Sequence, residues 1–254
     1  MSKVDEHGCR DTRLDIYLVE RGFFRTRARA RDAILRGTVE VDGVGVSKPS
    51  RQIAAGAAIV IRDEARTYVS RAALKLKHAL DHFGIDVSGR LALDIGASTG
   101  GFTQLLLERG ASRVIALDVG HGQLAPSLRD DPRVQLMEGL NARDLRAADL
   151  PENPNLIVCD VGFISLKLAL PPALALARPG ACLIALIKPQ FEAGREAVAG
   201  SGIIRDAAIH RKICDDIACW LAVLPEWHVI GVVSSPIMGA EGNAEFLIAA
   251  EKHR

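Results

Sequence analysis

The chain has 254 residues, 48% hydrophobic and 25% charged, with a formal net charge of +1. That length suits one large domain beside a small one, and the composition excludes disordered, fibrous and low-complexity classes. The total charge points to no partner, but positive charge is clustered: Arg25, Arg27, Arg29, Arg31 and Arg36 fall within twelve residues, and residues 1–66 hold 13 Lys+Arg against 10 Asp+Glu. Clustering matters more than the total for binding a polyanion.

Residues 12–62 read as a compact unit. RLDIYLVERG forms a short helix through Leu14, Ile16, Tyr17 and Leu18, stopped by Gly22. TRARARDAILRG forms a second, capped by Thr26, buried through Ala30, Ala33 and Ile34, and ended by Gly37. The arginines fall largely on its other side. TVEVDGVGV then gives Val39 and Val41 with a hairpin turn at Asp42-Gly43. Arg13-Leu14-Asp15, the basic second helix, Gly37-x-Val39-x-Val41-Asp42-Gly43 and Lys48-Pro49-Ser50 together resemble the S4-type RNA-binding domain. A solvated charged face without a ligand is the alternative for the arginines taken alone. The resemblance implies RNA contacts by Arg13, Arg25, Arg27, Arg29, Arg31, Arg36 and Lys48.

Residues 63–70 read as a linker running into a helix (SRAALKLKHAL), and from about residue 90 short apolar strands alternate with helices. The strands are LALDIGA (91–97), VIALDVG (114–120), VQLME (134–138), LIVCDV (156–161), ACLIALIKP (181–189), WHVIGVVSS (227–235) and AEFLIAA (244–250). This alternation predicts a parallel sheet covered on both faces. Two strands in succession at the end predict a final hairpin and one antiparallel edge. The expected organisation is α/β: a small α+β S4-type domain (1–62), a linker (63–70), and a seven-stranded Rossmann-like sheet (71–254) whose layout resembles the class I methyltransferase fold.

The segment LDIGASTGGFT is the most informative. An apolar strand ends at Asp94-Ile95-Gly96, followed by a small-residue loop and a helix from about Gly101. Gly96, Gly100 and Gly101 permit sharp turns and close backbone approach, at a strand end where such sheets bind ligands. It is not a P-loop, since no Gly-Lys-Ser/Thr follows. Ser98 occupies the position of the middle glycine in a dinucleotide fingerprint, which disfavours a dehydrogenase. Asp118 ends the next strand, where a carboxylate accepts hydrogen bonds from ribose hydroxyls. The pattern resembles the S-adenosylmethionine site of methyltransferases. It implies cofactor contacts by Asp94, facing the amino-acid end, by Gly96, Ala97, Ser98, Gly100, Gly101 and Phe102 in the loop, and by Asp118. Glu138, ending the third strand, fits either a contact near the adenine or a solvated strand end.

Four more charged residues stand at element ends: Lys75 in the helix before the sheet, Asp160 and Lys188 after apolar strands, and Glu245 at the start of the last strand. In chain order they match the Lys-Asp-Lys-Glu tetrad of RNA ribose 2′-O-methyltransferases. A ribose hydroxyl is a poor nucleophile until deprotonated or polarised. A lysine serves as base when its surroundings favour the neutral amine, and carboxylates hold it in place. The expected roles are Lys188 as base, Asp160 and Lys75 orienting it and the hydroxyl, and Glu245 anchoring a lysine. Base-directed enzymes usually carry an Asn/Asp-Pro-Pro-aromatic run or a catalytic cysteine after the fourth strand. Here that run is Asp160-Val161-Gly162-Phe163, and Cys159 should face away from Asp160 by strand alternation.

Nearly the whole chain, through TYVSRAALKL, LDIGASTGGFT, CDVGFISL, LIKPQFE, SGIIRD and GNAEFL, is similar to the TlyA family of ribosomal RNA cytidine 2′-O-methyltransferases, also called haemolysin A. The resemblance implies S-adenosylmethionine as cofactor, ribosomal RNA on ribosomal subunits as substrate, and a linker that couples RNA docking to cofactor binding. Ala72-Ala73 stand where two glycines are expected, and Ile203-Ile204 where valines are common. A cytolysin is the reading from another class; the polar N-terminus, unlike a secretory signal, and the absence of any uninterrupted apolar run of about 20 residues argue against it. A non-catalytic assembly factor would lack the intact tetrad. Five cysteines at irregular spacing give no disulfide framework and fit a reducing cytoplasm. His210, Cys214 and Cys219 share a helix but point in different directions, so no metal site is expected.

Overall fold

The structure, a computed structural model, describes residues 11–193, 203–239 and 242–253. Expectations touching Cys9, Ser201 and Gly202 lie outside these residues. The chain divides into two compact units, Met1–Thr67 and Tyr68–Arg254, a division lying inside the 63–70 stretch.

In the first unit, β1 (Thr12–Arg13) leads into α1 (Leu14–Glu20) and α2 (Arg27–Leu35), followed by β2 (Val39–Val41), β3 (Val44–Gly45), β4 (Gln52–Ile53) and β5 (Ile59–Ile61). Thr26 Oγ1 accepts the Arg29 N–H at 3.3 Å and starts α2. Ala30, Ala33 and Ile34 are fully buried against Leu14 and Leu18, as an i, i+3, i+4 stripe requires. Asp42 and Gly43 both have positive φ, 52° and 78°, the geometry of a two-residue hairpin turn whose twist matches its strands.

The second unit begins with α3 (Ala72–Phe83), β6 (Leu91–Ile95), α4 (Gly101–Glu108), β7 (Arg113–Asp118), α5 (Pro126–Arg129) and β8 (Val134–Glu138). It continues with β9 (Leu156–Cys159), α6 (Leu166–Ala169), α7 (Pro171–Leu176), β10 (Cys182–Ile187), α8 (Pro189–Glu192), α9 (Ala207–Ala222), β11 (Trp227–Ser234) and β12 (Phe246–Lys252). The seven strands pair in the order β11-β12-β10-β9-β6-β7-β8. One core packs the α6, α7 and α9 side of the sheet and a second packs the α3 and α4 side.

The antiparallel element is β12, paired antiparallel with both β10 and β11. It therefore lies inside the sheet, and the last two strands form the expected hairpin, whose outer strand β11 is the antiparallel edge. The cause is burial. Leu247–Ala250 of β12 are fully buried, whereas β11 exposes His228 and Ile230, so the more apolar strand takes the interior position.

Candidate active site

Side-chain alternation gathers the expected residues on one face. In β6, Leu93 and Ile95 face one core and Ala92 the other, which sends Asp94 to the α3/α4 side. The same count puts Asp118, Glu138, Asp160, Lys188 and Glu245 on that side, since Val114, Leu136, Val158, Leu186 and Leu247 all belong to that core. Cys159 is fully buried in the opposite core. Burial pushes its thiol up to about 12, which removes it as a nucleophile.

Because β12 runs opposite to β10, its first residues lie at the carboxyl edge of the parallel strands. Ile187 pairs with Phe246, so Lys188 and Glu245 stand side by side. Lys188 Nζ lies 2.6 Å from Asp160 Oδ1, with both side chains about 15% exposed. Lys75 Nζ lies 2.5 Å from Glu245 Oε2, and both are buried. The four charges thus form two ion pairs, one lining a cleft and one buried outside its lining. Lys75 follows Ala72 by one turn of α3, and Ala72 lines the cleft with Ser98, Phe102, Asp160 and Lys188.

The glycine loop is shaped first by the protein's own packing. Gly96 has φ +82°, and a Cβ there would stand 2.8 Å from the Asp160 carbonyl oxygen. A side chain at Gly101 would stand 2.9 Å from Ser70 Cβ, so that glycine lets α4 meet the residues leading into α3. At Gly100, φ +97°, the obstruction is Leu128. Ala97 and Phe102 are buried, while Ser98 is exposed with φ 48°. Asp118 accepts the Ser98 N–H at 2.8 Å and the Gly120 N–H at 2.7 Å, which orients its carboxylate on the loop. Glu138 accepts the Gly122 N–H at 2.7 Å and so helps fix the loop after β7.

Asp94 is fully buried. Its Oδ2 accepts the Thr103 hydroxyl at 2.6 Å, and its Oδ1 has no hydrogen-bond partner. Burial pushes its carboxyl up to about 7; the nearby Asp160 charge adds to this, and Thr103 opposes it. A buried acceptor without a partner costs free energy unless a ligand supplies the donor. Asp94 lies behind the lining of the cleft rather than on it, next in the strand to Ile95 and the cleft residue Gly96. Thr103, Ser70 and Ala72 were not among the sequence-expected contacts; the signal for Thr103 was its place in the first turns of the helix after the glycine loop.

In the first unit, the fully buried Asp15 accepts from Arg13 at 3.0 Å and Arg27 at 2.9 Å, and the Arg13 guanidinium holds its carboxyl below the usual range. The Asp15 N–H donates to Pro49 O, which brings the Lys48 segment alongside. Arg25, Arg31 and Lys48 are exposed. Arg29 reaches Ala65 O at 2.8 Å. Arg36 departs from the rest: it is mostly covered, paired with Asp32 at 2.8 Å and through both terminal nitrogens with Asp63 at 2.9 Å. Its guanidinium secures the end of α2 to the segment after β5.

The strand order, the glycine loop after β6 and the acid ending β7 define a class I methyltransferase fold. The FtsJ-like methyltransferase model matches residues 68–252 and the S4 domain model residues 12–59. The chain belongs to the FtsJ-like methyltransferases and, within them, to the TlyA family. It is 43% identical to the 16S/23S rRNA (cytidine-2′-O)-methyltransferase TlyA of Mycobacterium tuberculosis, over 94% of this chain and 90% of that protein. It is 42% identical to Hemolysin A of Brachyspira hyodysenteriae, over 92% of this chain and 98% of that one. A solved structure from Streptococcus thermophilus, bearing a provisional hemolysin name, superposes with a TM-score of 0.74 at 40% identity, covering 96% of this chain and 89% of that one. No helix among the described residues is long and apolar enough to cross a membrane, and no cluster among them would hold a metal ion.

Proposed function

We propose that this protein methylates a ribose 2′-hydroxyl of ribosomal RNA, at a cytidine, with S-adenosylmethionine as donor. The observation that carries this reading is the pair of ion pairs, Lys188–Asp160 on the cleft and the buried Lys75–Glu245. The names of the similar enzymes supply cytidine and ribosomal RNA. Asp94, Ser98 and Asp118 are the residues that would hold the cofactor, Asp94 at its amino-acid end and Asp118 at its ribose. Bound there, S-adenosylmethionine supplies an electrophilic methyl group to the ribose oxygen.

The protein's own part is positioning and proton transfer. Lys188 Nζ, once it has released its own proton to solvent, takes the 2′-hydroxyl proton as the oxygen attacks. Asp160 aims that amine from 2.6 Å. Lys75, fixed by Glu245 one turn of α3 past the cleft residue Ala72, orients the reacting groups. Buried Cys159 and the absence of a proline pair after Asp160 speak against a base-directed reaction.

The test is methyl transfer from labelled donor to unmodified ribosomal subunits, followed by nucleoside identification by mass. Wild type should yield a 2′-O-methylated cytidine. Lys188→Ala should lower the single-turnover rate by about 10²- to 10⁴-fold, the usual contribution of a general base, with cofactor affinity little changed. Label on a base would overturn the assignment.

A further inference from the structure

Asp160 and Lys188 sit on loops that leave two neighbouring strands, β9 and β10. Their own contact is a single ion pair, with both side chains about 15% exposed. A second tie joins the same loops. Glu192, the last residue of α8, accepts the Ser165 hydroxyl on Oε2 at 2.6 Å and the Leu166 N–H on Oε1 at 2.8 Å. Hydrogen bonds to an ionised acceptor are shorter and stronger than neutral ones. Beside them the Phe191 ring meets Phe163 at 5.0 Å, and Gly162 backs onto the same ring.

Local capping does not account for Glu192, which takes the Leu166 N–H that Ser165 leaves unused. The single turn of α6 already has Ser165 as its cap, accepting the Lys167 N–H at 3.2 Å. The glutamate comes from 26 residues further along the chain. Phe163 is held at φ +63° while 92% exposed. A non-glycine residue keeps that conformation only where its surroundings impose it, and the described contacts around it are those of the Glu192 turn.

We propose that Glu192 is a positioning residue: it ties the Asp160 loop to the Lys188 turn and so sets the approach of the two side chains. It touches neither cofactor nor reacting atoms. The inference rests on the catalytic reading of Lys188 and Asp160.

Full-length wild type, Glu192→Ala and Glu192→Gln are compared in single-turnover transfer to ribosomal subunits, with cofactor Kd and Tm measured on each. The amide of Glu192→Gln still accepts from Leu166 and can donate to Ser165 Oγ, so geometry survives without the charge. The alanine variant should lose about 10- to 100-fold in rate, the scale of a misplacement of about 1 Å, with cofactor Kd within about twofold. The glutamine variant should recover to within about threefold of wild type. An alanine variant as fast as wild type, a glutamine variant as slow as alanine, or a rate loss mirrored in cofactor binding each overturns the inference. If the alanine variant does not fold, Ser165→Ala removes one of the two bonds and should cost about threefold or more in rate; no loss there is equally fatal. Wild type that places no methyl on ribose overturns the catalytic reading and this inference together, whereas active wild type with an unaffected alanine variant overturns this inference alone.

Discussion

Asp94 shows how one buried carboxyl links stability to ligand binding. Burial raises it from an ordinary 3.8 to about 7, so the folded protein holds a proton that the unfolded chain has released. Its contribution to stability is fully present below about pH 4 and is lost as pH rises through about 7, a difference of roughly 4 kcal/mol. A cationic ligand group at Oδ1 favours the ionised form. Cofactor affinity should therefore rise about tenfold from pH 6 to pH 8, as read by calorimetry at each pH. Asp94→Asn should flatten that profile and gain thermal stability relative to wild type as pH increases. A wild-type affinity independent of pH would remove Asp94 from the ligand's charged end. The two lysines separate in the same way. Lys75→Ala leaves Glu245 buried without its partner and should cost about 3 kcal/mol, seen as a lowered denaturation midpoint, whereas Lys188→Ala at the cleft edge should change stability little.

At the scale of elements, strand parity decides what reaches the cleft, and parity is legible in sequence. Asp94, Asp160 and Lys188 stand at or just beyond the carboxyl ends of apolar runs, and counting by twos from the core residues gives their face. The caps of α2 and the Asp42-Gly43 turn were legible for the same local reason. Strand order was not: that β12 enters between β10 and β11 depends on how each strand is buried across the sheet, which no local pattern states. Nor was Arg36, whose partner Asp63 lies 27 residues away, or Glu192, whose partners lie on another loop. The glycines were legible as special backbone, but their reason is packing. Gly96→Ala would place a methyl group 2.8 Å from the Asp160 carbonyl oxygen at φ +82°. It should cost about 2–4 kcal/mol through overpacking and the left-handed backbone and weaken cofactor binding, measured by thermal denaturation and calorimetry. Unchanged stability would mean the β6 and β9 loops part easily, contrary to their close backbone contact.

For the molecule as a whole, the two units divide recognition from chemistry. Residues 67–254 hold 19 Lys+Arg against 21 Asp+Glu, whereas residues 1–66 hold 13 against 10 with five arginines clustered, so the first unit is the more attractive to a polyanion. Within it the arginines differ in availability. Arg36 is committed to Asp32 and Asp63, and Arg13 and Arg27 are oriented by Asp15, while Arg25 and Arg31 are exposed. Reversing Arg25 and Arg31 to Glu together should weaken binding to ribosomal subunits about 10- to 100-fold and lower the slope of log affinity against log salt by about 1.5, since each phosphate contact contributes about 0.7–0.9. Cofactor affinity should not move. Arg36→Ala should do the reverse, lowering thermal stability through the unpaired Asp63 while leaving the salt slope nearly intact. If instead Arg36→Ala changes the slope as much as the double reversal, the Asp63 pairing yields to RNA, and the segment after β5 responds to the RNA that the first unit holds. An unchanged slope in the double reversal would leave the phosphate contacts to Arg13, Arg27 and Lys48, the three that converge on the start of α1.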